Sequence, residues 1–442
     1  MIKKNYDINA NYITINTNKN CLLKCAYCYE NKPVNIEEDI KFWTEANCER
    51  VYKDINKNCN SKIISLELCK KYIDIILNYD FKNDKKLIFD FIGGDSLQYH
   101  ELLDDIFTYI CKNIQNTKYK YNWIFHISSN GVVLMSEKVR KFCEKWKENL
   151  HLGISIDGCP ELHDLHRKTV SSNIYGYNGS FKYIEKIWPW YKKTFPCTSS
   201  STKFTLTPKS YKYLYKSIKY LYEKMGISYI FFNRVMEQDV IDTENELHIL
   251  SNEFDKINKY LADNHLNLYL FSYDFSRISE SHTYDYMLNN DKEWSRCGFG
   301  RMPSLDLDGN VYSCFRMIPG FSHSSKKDFA IGNINKNDFN LDNYKSKEIY
   351  HNSFAVNMKI KDKCKKCPLF SSCPHCAADC IDESLKLIKT DSVCKYHIIE
   401  TLSVIKYWNY ISFLHKNLYK GFIVQNFFKK EDILNMLKIL KE

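Results

Sequence analysis

The residues best suited to chemistry in this chain are its cysteines, 18 of them in 442 residues. Three stand within eight positions, Cys21-Leu-Leu-Lys-Cys25-Ala-Tyr27-Cys28, just past a strand-like run. Three thiolates on such a loop can hold three irons of a 4Fe–4S cluster and leave the fourth iron open to substrate or cofactor. A zinc site would want a fourth ligand, and the nearest histidine is far off in sequence. Eight more cysteines fall between Cys297 and Cys394, at 297, 314, 364, 367, 373, 376, 380 and 394. The chain has no recognisable export signal, so these clusters read as metal ligands before disulfides. The remaining seven, Cys48, Cys59, Cys69, Cys111, Cys143, Cys159 and Cys197, are scattered singly and read as small buried hydrophobes.

Positioning such a loop requires strands that end where the cysteines begin. From residue 12 to about 235 strand-like and helix-like runs alternate, which argues for six successive β/α units around a parallel sheet. The strands are expected at 12–18, 87–92, 123–128, 152–156, 203–207 and 229–235, all apolar on both faces. Helices are expected between them, at 65–79, 101–114, 136–146, 180–193 and 211–225, from their i, i+3, i+4 apolar recurrence. The fold class is therefore α/β, a partial (β/α)6 TIM-type barrel, whose strand C-termini carry the site. A polar insertion spans 31–62. Four regions follow: the barrel at 1–235, a helical bridge at 236–295, a Cys-rich metal-organised domain at 296–400, and an amphipathic helical segment at 401–442 in which Trp408, Tyr410 and Phe413 pack back.

Composition narrows the class of protein. Hydrophobic residues at 44% and charged residues at 26% exclude wholesale disorder and fibrous architecture. No run of about 18 uncharged apolar residues occurs, and the first residues lack an apolar signal core, so a cytoplasmic protein off the membrane is expected. The net charge of +10 suits an acidic partner.

Read together, the motifs resemble those of the radical S-adenosylmethionine superfamily. The Cys21/Cys25/Cys28 spacing, with the aromatic Tyr27 before its last cysteine, is similar to that superfamily's signature. Gly93-Gly94-Asp95 ends the second expected strand as the family's Gly-Gly-Glu motif does, with Asp for Glu and Ser96 where Pro is common. The resemblance implies that backbone and carboxylate there bind the methionyl amino group. Ser129-Asn130-Gly131 resembles the family's Thr-Asn-Gly turn near the cofactor. Ser155-Ile-Asp157-Gly158, then His163-Asp164 and Arg167, resemble a run of peptide-modifying members. By that resemblance Ser155 and Arg167 contact the cofactor's ribose and carboxylate, and Arg suits a carboxylate because its planar fork makes two parallel hydrogen bonds. Val235 aligns with a hydrophobic cofactor contact.

The later cysteines resemble the SPASM extension, which carries two auxiliary 4Fe–4S clusters, and depart from its pattern only by two residues instead of three between Cys373 and Cys376. The family's partition implies one cluster on Cys364, Cys367, Cys373 and Cys394, and another on Cys297, Cys314 and Cys376. Either Cys380 is the fourth ligand of the second or its iron is open to a substrate thiolate. The family likeness implies three clusters, S-adenosylmethionine, a reductant such as flavodoxin or ferredoxin, and a ribosomally made Cys-containing precursor peptide that receives a thioether or other crosslink. Only about ten residues precede the first strand, so leader recognition is expected from the barrel, the insertion or a separate leader-binding protein. Two alternatives remain. An anaerobic sulfatase maturase shares the fold and clusters but carries an Asp where this chain has Phe315. An RNA-binding or RNA-modifying iron–sulfur protein would use the 33 Tyr and many Lys for stacking and phosphate contacts, yet these fall at core-like helical spacing.

Overall fold

The structure, a computed structural model, describes residues 11–28, 63–79, 86–169, 179–235, 242–264, 266–273, 302–318, 330–341, 367–369, 391–414 and 430–441. The insertion expected at 31–62 lies outside them. No helix among the described residues is long and apolar enough to cross a membrane.

The expected order of β/α units is present. Strands β1 (Asn11–Asn16), β3 (Leu87–Ile92), β4 (Trp123–Ser129), β5 (Leu150–Ile154), β7 (Ser201–Leu206) and β8 (Tyr229–Arg234) lie within two residues of their expected positions. A short β2 (Leu23–Cys25) and β6 (Arg167–Thr169) pair with each other. Helices α1 (Leu66–Leu77), α2 (His100–Ile114), α3 (Glu137–Trp146), α4 (Pro160–His166), α5 (Phe181–Thr194), α6 (Leu214–Glu223) and α7 (Glu244–Asn264) fill the connections. Ser65 caps α1 by accepting from the Leu68 amide, and Thr243 with Glu246 forms a reciprocal capping box at the start of α7.

Packing divides the chain into two compact units, which cut across the four regions delimited from sequence. The first comprises 1–155, 164–199 and 297–354. Its sheet runs β12-β11-β10-β1-β3-β4-β5, with β1, β3, β4 and β5 mutually parallel. Strands β10 (Ser304–Leu305), β11 (Asn310–Tyr312) and β12 (Gly332–Asn333) extend it past β1, so part of the Cys-rich region is built into the barrel sheet. One face of this sheet is sealed by helices. Phe107 of α2 stacks on Phe125 at 3.6 Å and meets Phe91 at 5.1 Å, with Phe142 and Trp146 of α3 at its rim. Each fully buried ring of this kind stabilises the fold by about 1.5–3 kcal/mol.

The second unit comprises 156–163, 200–296 and 355–442. Its sheet runs β7-β8-β9, with β9 at Tyr269–Leu270. The ladders of the six parallel strands thus fall into two sheets, not one continuous barrel wall. Just after β5 the Ile156 carbonyl accepts the Thr202 side-chain hydroxyl at 3.3 Å. Helix α8 (Asp391–Leu414) packs on α7, where Asn258 donates to the Ser403 carbonyl and hydroxyl at 3.1 and 3.0 Å. Trp408 packs back as expected, donating to the Tyr273 carbonyl at 3.1 Å. Tyr410 does not: it is 49% exposed, because two residues on from Trp408, about 200° round the helix, it faces the opposite side. The side chain of Phe413 lies outside the described residues. A last helix, α9 (Lys430–Lys441), follows.

The first sheet is locked at its mouth by two glycines. A Cβ on Gly94 would lie 1.8 Å from the Asn20 carbonyl oxygen, and Gly93 has φ +145° with Asn18 oxygen 2.5 Å from its would-be Cβ. Gly153, by contrast, has only ordinary contacts, the nearest at 3.8 Å. Gly94→Ala is expected to destabilise the protein by about 3 kcal/mol, the upper end for forced overpacking, whereas Gly153→Ala stays within about 1 kcal/mol of wild type. Chemical denaturation of the two variants side by side checks this.

Candidate functional site

The N-terminal cysteine loop is positioned by backbone bonds from both sides. Thr17 donates its amide to the Ile92 carbonyl at 2.8 Å, and its hydroxyl lies 2.9 Å from the Ser96 hydroxyl. Ser96 therefore stands where Pro is common because its hydroxyl is used. Gly94 and Asp95 donate their amides to the carbonyls of Asn18 and Asn20 at 3.0 and 2.8 Å. Asn20 also reaches the Tyr99 hydroxyl. The Gly-Gly turn is thus clamped flat against the three residues that lead into Cys21, and a side chain at either glycine would pry them apart.

Asp95 is 1% exposed and accepts three hydrogen bonds. Its Oδ1 takes the Leu97 amide at 3.2 Å, and its Oδ2 takes the Ser129 hydroxyl and the Asn130 amide, both at 2.9 Å. The carboxylate ties the end of β3 to the end of β4. Asn130 carries the link onward: its Nδ2 donates to Cys21 Sγ at 3.4 Å, and its Oδ1 accepts from the Val132 amide. Cys21 Sγ accepts a second N–H from Leu23, also at 3.4 Å. Gly131, with φ +81°, turns the chain away next to Ile154, Ile184 and Ile187. Ser155 extends β5 by donating its amide to the Ser129 carbonyl at 2.9 Å. Cys21, Gly93, Gly94, Asp95, Ser129, Asn130 and Ser155, noted separately in sequence, are in this way brought into one hydrogen-bonded neighbourhood.

Arg167 reaches the same loop from another direction. Strand β6 pairs antiparallel with β2, and Cys25 stands opposite Arg167. The Arg167 guanidinium lies 5.6 Å from the Tyr27 ring centroid, and the same ring meets the His166 ring edge-on at 5.2 Å. Ala26 donates its amide to the His166 carbonyl at 3.0 Å. Tyr27, expected from the resemblance as a cofactor contact, is in the structure a platform under Arg167. Cys25 and Cys28 are half-buried and joined by a turn, Cys28 amide to Cys25 carbonyl at 3.1 Å.

Asp157 and Val235 belong to the second unit. Asp157 is fully buried, its amide donates to His163 Nδ1 at 3.1 Å, and its Oδ1 accepts from the Thr205 amide at 3.4 Å. Val235 is buried and donates its amide to the Leu206 carbonyl at 2.8 Å. Next to it the unforeseen Arg234–Asp242 pair is buried, at 2.9 Å, with Tyr211 donating to the same carboxylate at 2.7 Å.

Of the later cysteines, Cys314 is buried at the end of β11, and Cys367 and Cys394 are half-buried. Cys297, Cys364, Cys373, Cys376 and Cys380 lie outside the described residues. Among the described residues no three His, Cys, Asp or Glu side chains converge as ligands of a single metal ion. The thiolates of an iron–sulfur cubane each bind a different iron. The scattered cysteines behave as read where they are buried: Cys69, Cys143 and Cys159 are enclosed, and loss of water around the sulfur pushes their thiols up. Cys197 is exposed instead.

One set of groups escaped the sequence reading. The face of the first sheet opposite α1–α3 carries Thr14, Asp90, His126 and His151 in register on adjacent strands. The signal was present, since each of β3, β4 and β5 has one titratable residue inside an apolar run.

No family model matches the sequence. The uncharacterized protein MJ0907 of Methanocaldococcus jannaschii is 25% identical over 355 residues, covering 78% of this chain and 96% of that one. Among solved structures, native anSMEcpe with bound AdoMet (S-adenosylmethionine) matches with a TM-score of 0.61 at 19% identity, over 92% of this chain and 100% of that one. Native anSMEcpe with bound AdoMet and Cp18Cys peptide matches with a TM-score of 0.60 at 18% identity, over 92% and 99%. The chain therefore shares the fold of AdoMet-bound anSMEcpe, in keeping with the α/β architecture expected from its sequence.

Proposed function

We propose that this protein is a radical S-adenosylmethionine enzyme that modifies a Cys-containing precursor peptide. The observation that carries this reading is the chain of hydrogen bonds from Asp95 through Asn130 to Cys21, which joins three otherwise separate motifs at one thiol. The donor set fits a cluster: Cys21, Cys25 and Cys28 are free of disulfides, and two N–H groups aimed at Cys21 Sγ favour an anionic sulfur. These three cysteines would hold the cluster, which when bound supplies the one electron that cleaves S-adenosylmethionine to methionine and a 5′-deoxyadenosyl radical.

The chain's own residues bind and orient. The Gly93-Gly94 backbone lies flat where a cofactor can approach, Asp95 fixes Ser129 and Asn130, and Arg167 over Tyr27 offers a planar fork for a carboxylate. Ser155, Asp157 and Val235 complete the proposed cofactor contacts. Cys297, Cys314, Cys364, Cys367, Cys373, Cys376 and Cys394 would hold two auxiliary clusters, with Cys380 a fourth ligand or the position left to a substrate thiolate. A flavodoxin or ferredoxin would deliver electrons, and the +10 charge suits an acidic leader. That anSMEcpe has been solved with a peptide supports a peptide substrate. Phe315, in place of the Asp of anaerobic sulfatase maturases, speaks against formylglycine formation.

Anaerobic reconstitution is expected to give about twelve irons per chain, falling to about eight in a Cys21/Cys25/Cys28→Ala variant, with loss of 5′-deoxyadenosine after dithionite reduction. Four irons or none, with stoichiometric zinc and no cofactor cleavage, would overturn the reading. Asn130→Ala removes one N–H···S bond, so the N-terminal cluster is expected to become harder to reduce, read as a lower midpoint in an EPR-monitored titration. Asp95→Asn turns an NH2 toward donors that need an acceptor and is expected to cost about 1–3 kcal/mol in denaturation.

A further inference from the structure

The face of the first sheet turned away from α2 is unexpectedly polar. Because Phe89, Phe91 and Phe125 point toward the helices, the alternate residues Asp90, His126 and Ser128 point the other way. Register sets Ser304, Thr14, Asp90, His126 and His151 in one row across five strands. A carboxylate interior to a parallel sheet is costly unless it is paired. Asp90 is paired: its Oδ1 lies 2.7 Å from His126 Nδ1.

That contact orients the imidazole. A carboxylate that accepts this hydrogen bond selects, for an uncharged imidazole, the tautomer with the proton on Nδ1 and the lone pair on Nε2. The His126 side chain is 30% exposed and Asp90 11%, so the orienting carboxylate is sheltered while the imidazole can be reached. His151 faces His126 at 5.5 Å between ring centroids. Loss of water first, then His126 and Lys86, push His151 down to about 4, so it is uncharged at pH 7 and places no positive charge beside a proton arriving on His126. On β1 the Thr14 hydroxyl and both polar atoms of the Asn16 amide are buried with no hydrogen-bond partner among the described residues. Two such groups on the face that holds a reachable imidazole point to a ligand that supplies their hydrogen bonds.

We propose that His126, oriented by Asp90, is a general base on this face, with Thr14 and Asn16 holding the substrate backbone. The proposal rests on the peptide-modifying reading above and deepens it by naming the proton acceptor. The group it matches is a cysteine thiol, whose acidity lies nearest to that of imidazole among the other side chains that hold a proton at pH 7. The S–H bond breaks, the proton becomes His126 Nε2–H, and the electron pair stays on sulfur. No oxidant or reductant is needed for this step.

Diethyl pyrocarbonate, which acylates neutral imidazole nitrogen, tests the dyad directly on the full reconstituted chain. Carbethoxylation of His126 and His151 is read from one digest by mass spectrometry, so their ratio reports His126 with His151 as an internal reference. In Asp90→Asn and Asp90→Leu the His126:His151 rate ratio is expected to fall at least about tenfold, modest beside the ~10²–10⁴-fold that a positioned base contributes. An unmodified His126 in wild type, or a ratio unchanged in both variants, overturns the proposal. The readout does not depend on cofactor cleavage. A chain that cleaves no S-adenosylmethionine yet shows the Asp90-dependent ratio loses the radical reading and keeps the dyad, and the reverse outcome removes the dyad alone.

Discussion

The close approach of two backbones, Gly93–Gly94 against Asn18–Asn20, is the constraint on which the candidate site depends. Nothing with a Cβ fits between them, because the Asn20 carbonyl already occupies that volume. Two amide-to-carbonyl bonds then fix the register of the segment that leads into Cys21. Backbone contacts have no rotamers to lose, so a loop held this way is defined more tightly than one held by side chains alone.

From that clamp the order of the site spreads outward through one carboxylate. Asp95 gathers donors from its own turn and from the end of β4, and Asn130 passes the constraint to the first thiol. An aspartate in place of a glutamate is informative here. The shorter side chain stays within the turn and meets Ser129, the last residue of β4, and Asn130, the first past it. Arg167 reaches the same loop by β-pairing with Cys25, so the polypeptide on both sides of the cysteines is tied down by main-chain bonds.

Much of the site was legible in the sequence because it is carried by residue types that have few other uses. A Gly-Gly pair after an apolar run announces a close backbone approach, and three cysteines in eight positions announce a shared ligand. The strands were legible for a related reason, since Leu87–Ile92 and Trp123–Ser129 are apolar enough to be buried on one face at least. What that reading hid was the second face. Asp90 and His126 look like exceptions within β3 and β4 taken singly, and only the ladder register shows that they are neighbours with a proton between them. The separation of the parallel strands into two sheets was also illegible, because strand periodicity does not say which neighbours pair. Tyr410 follows the same logic: aromatic identity gave no sign of which way α8 faces.

The pairing of β1 with β10 bears on how the chain reaches this structure. Strand β1 leaves the ribosome well before the strand that covers one of its edges, which lies nearly three hundred residues later. The same late segment is held by Tyr72, whose hydroxyl donates to the Pro303 carbonyl 231 residues away in sequence. Until that stretch is synthesised, β1 presents an unpaired, apolar edge of the kind that recruits other chains. Contacts this distant also slow folding, because the loop they close must be ordered before they form. Assembly of the N-terminal cysteine loop and completion of the sheet edge are therefore separated in time, and the nascent chain passes through a stage in which the first is in place and the second is not.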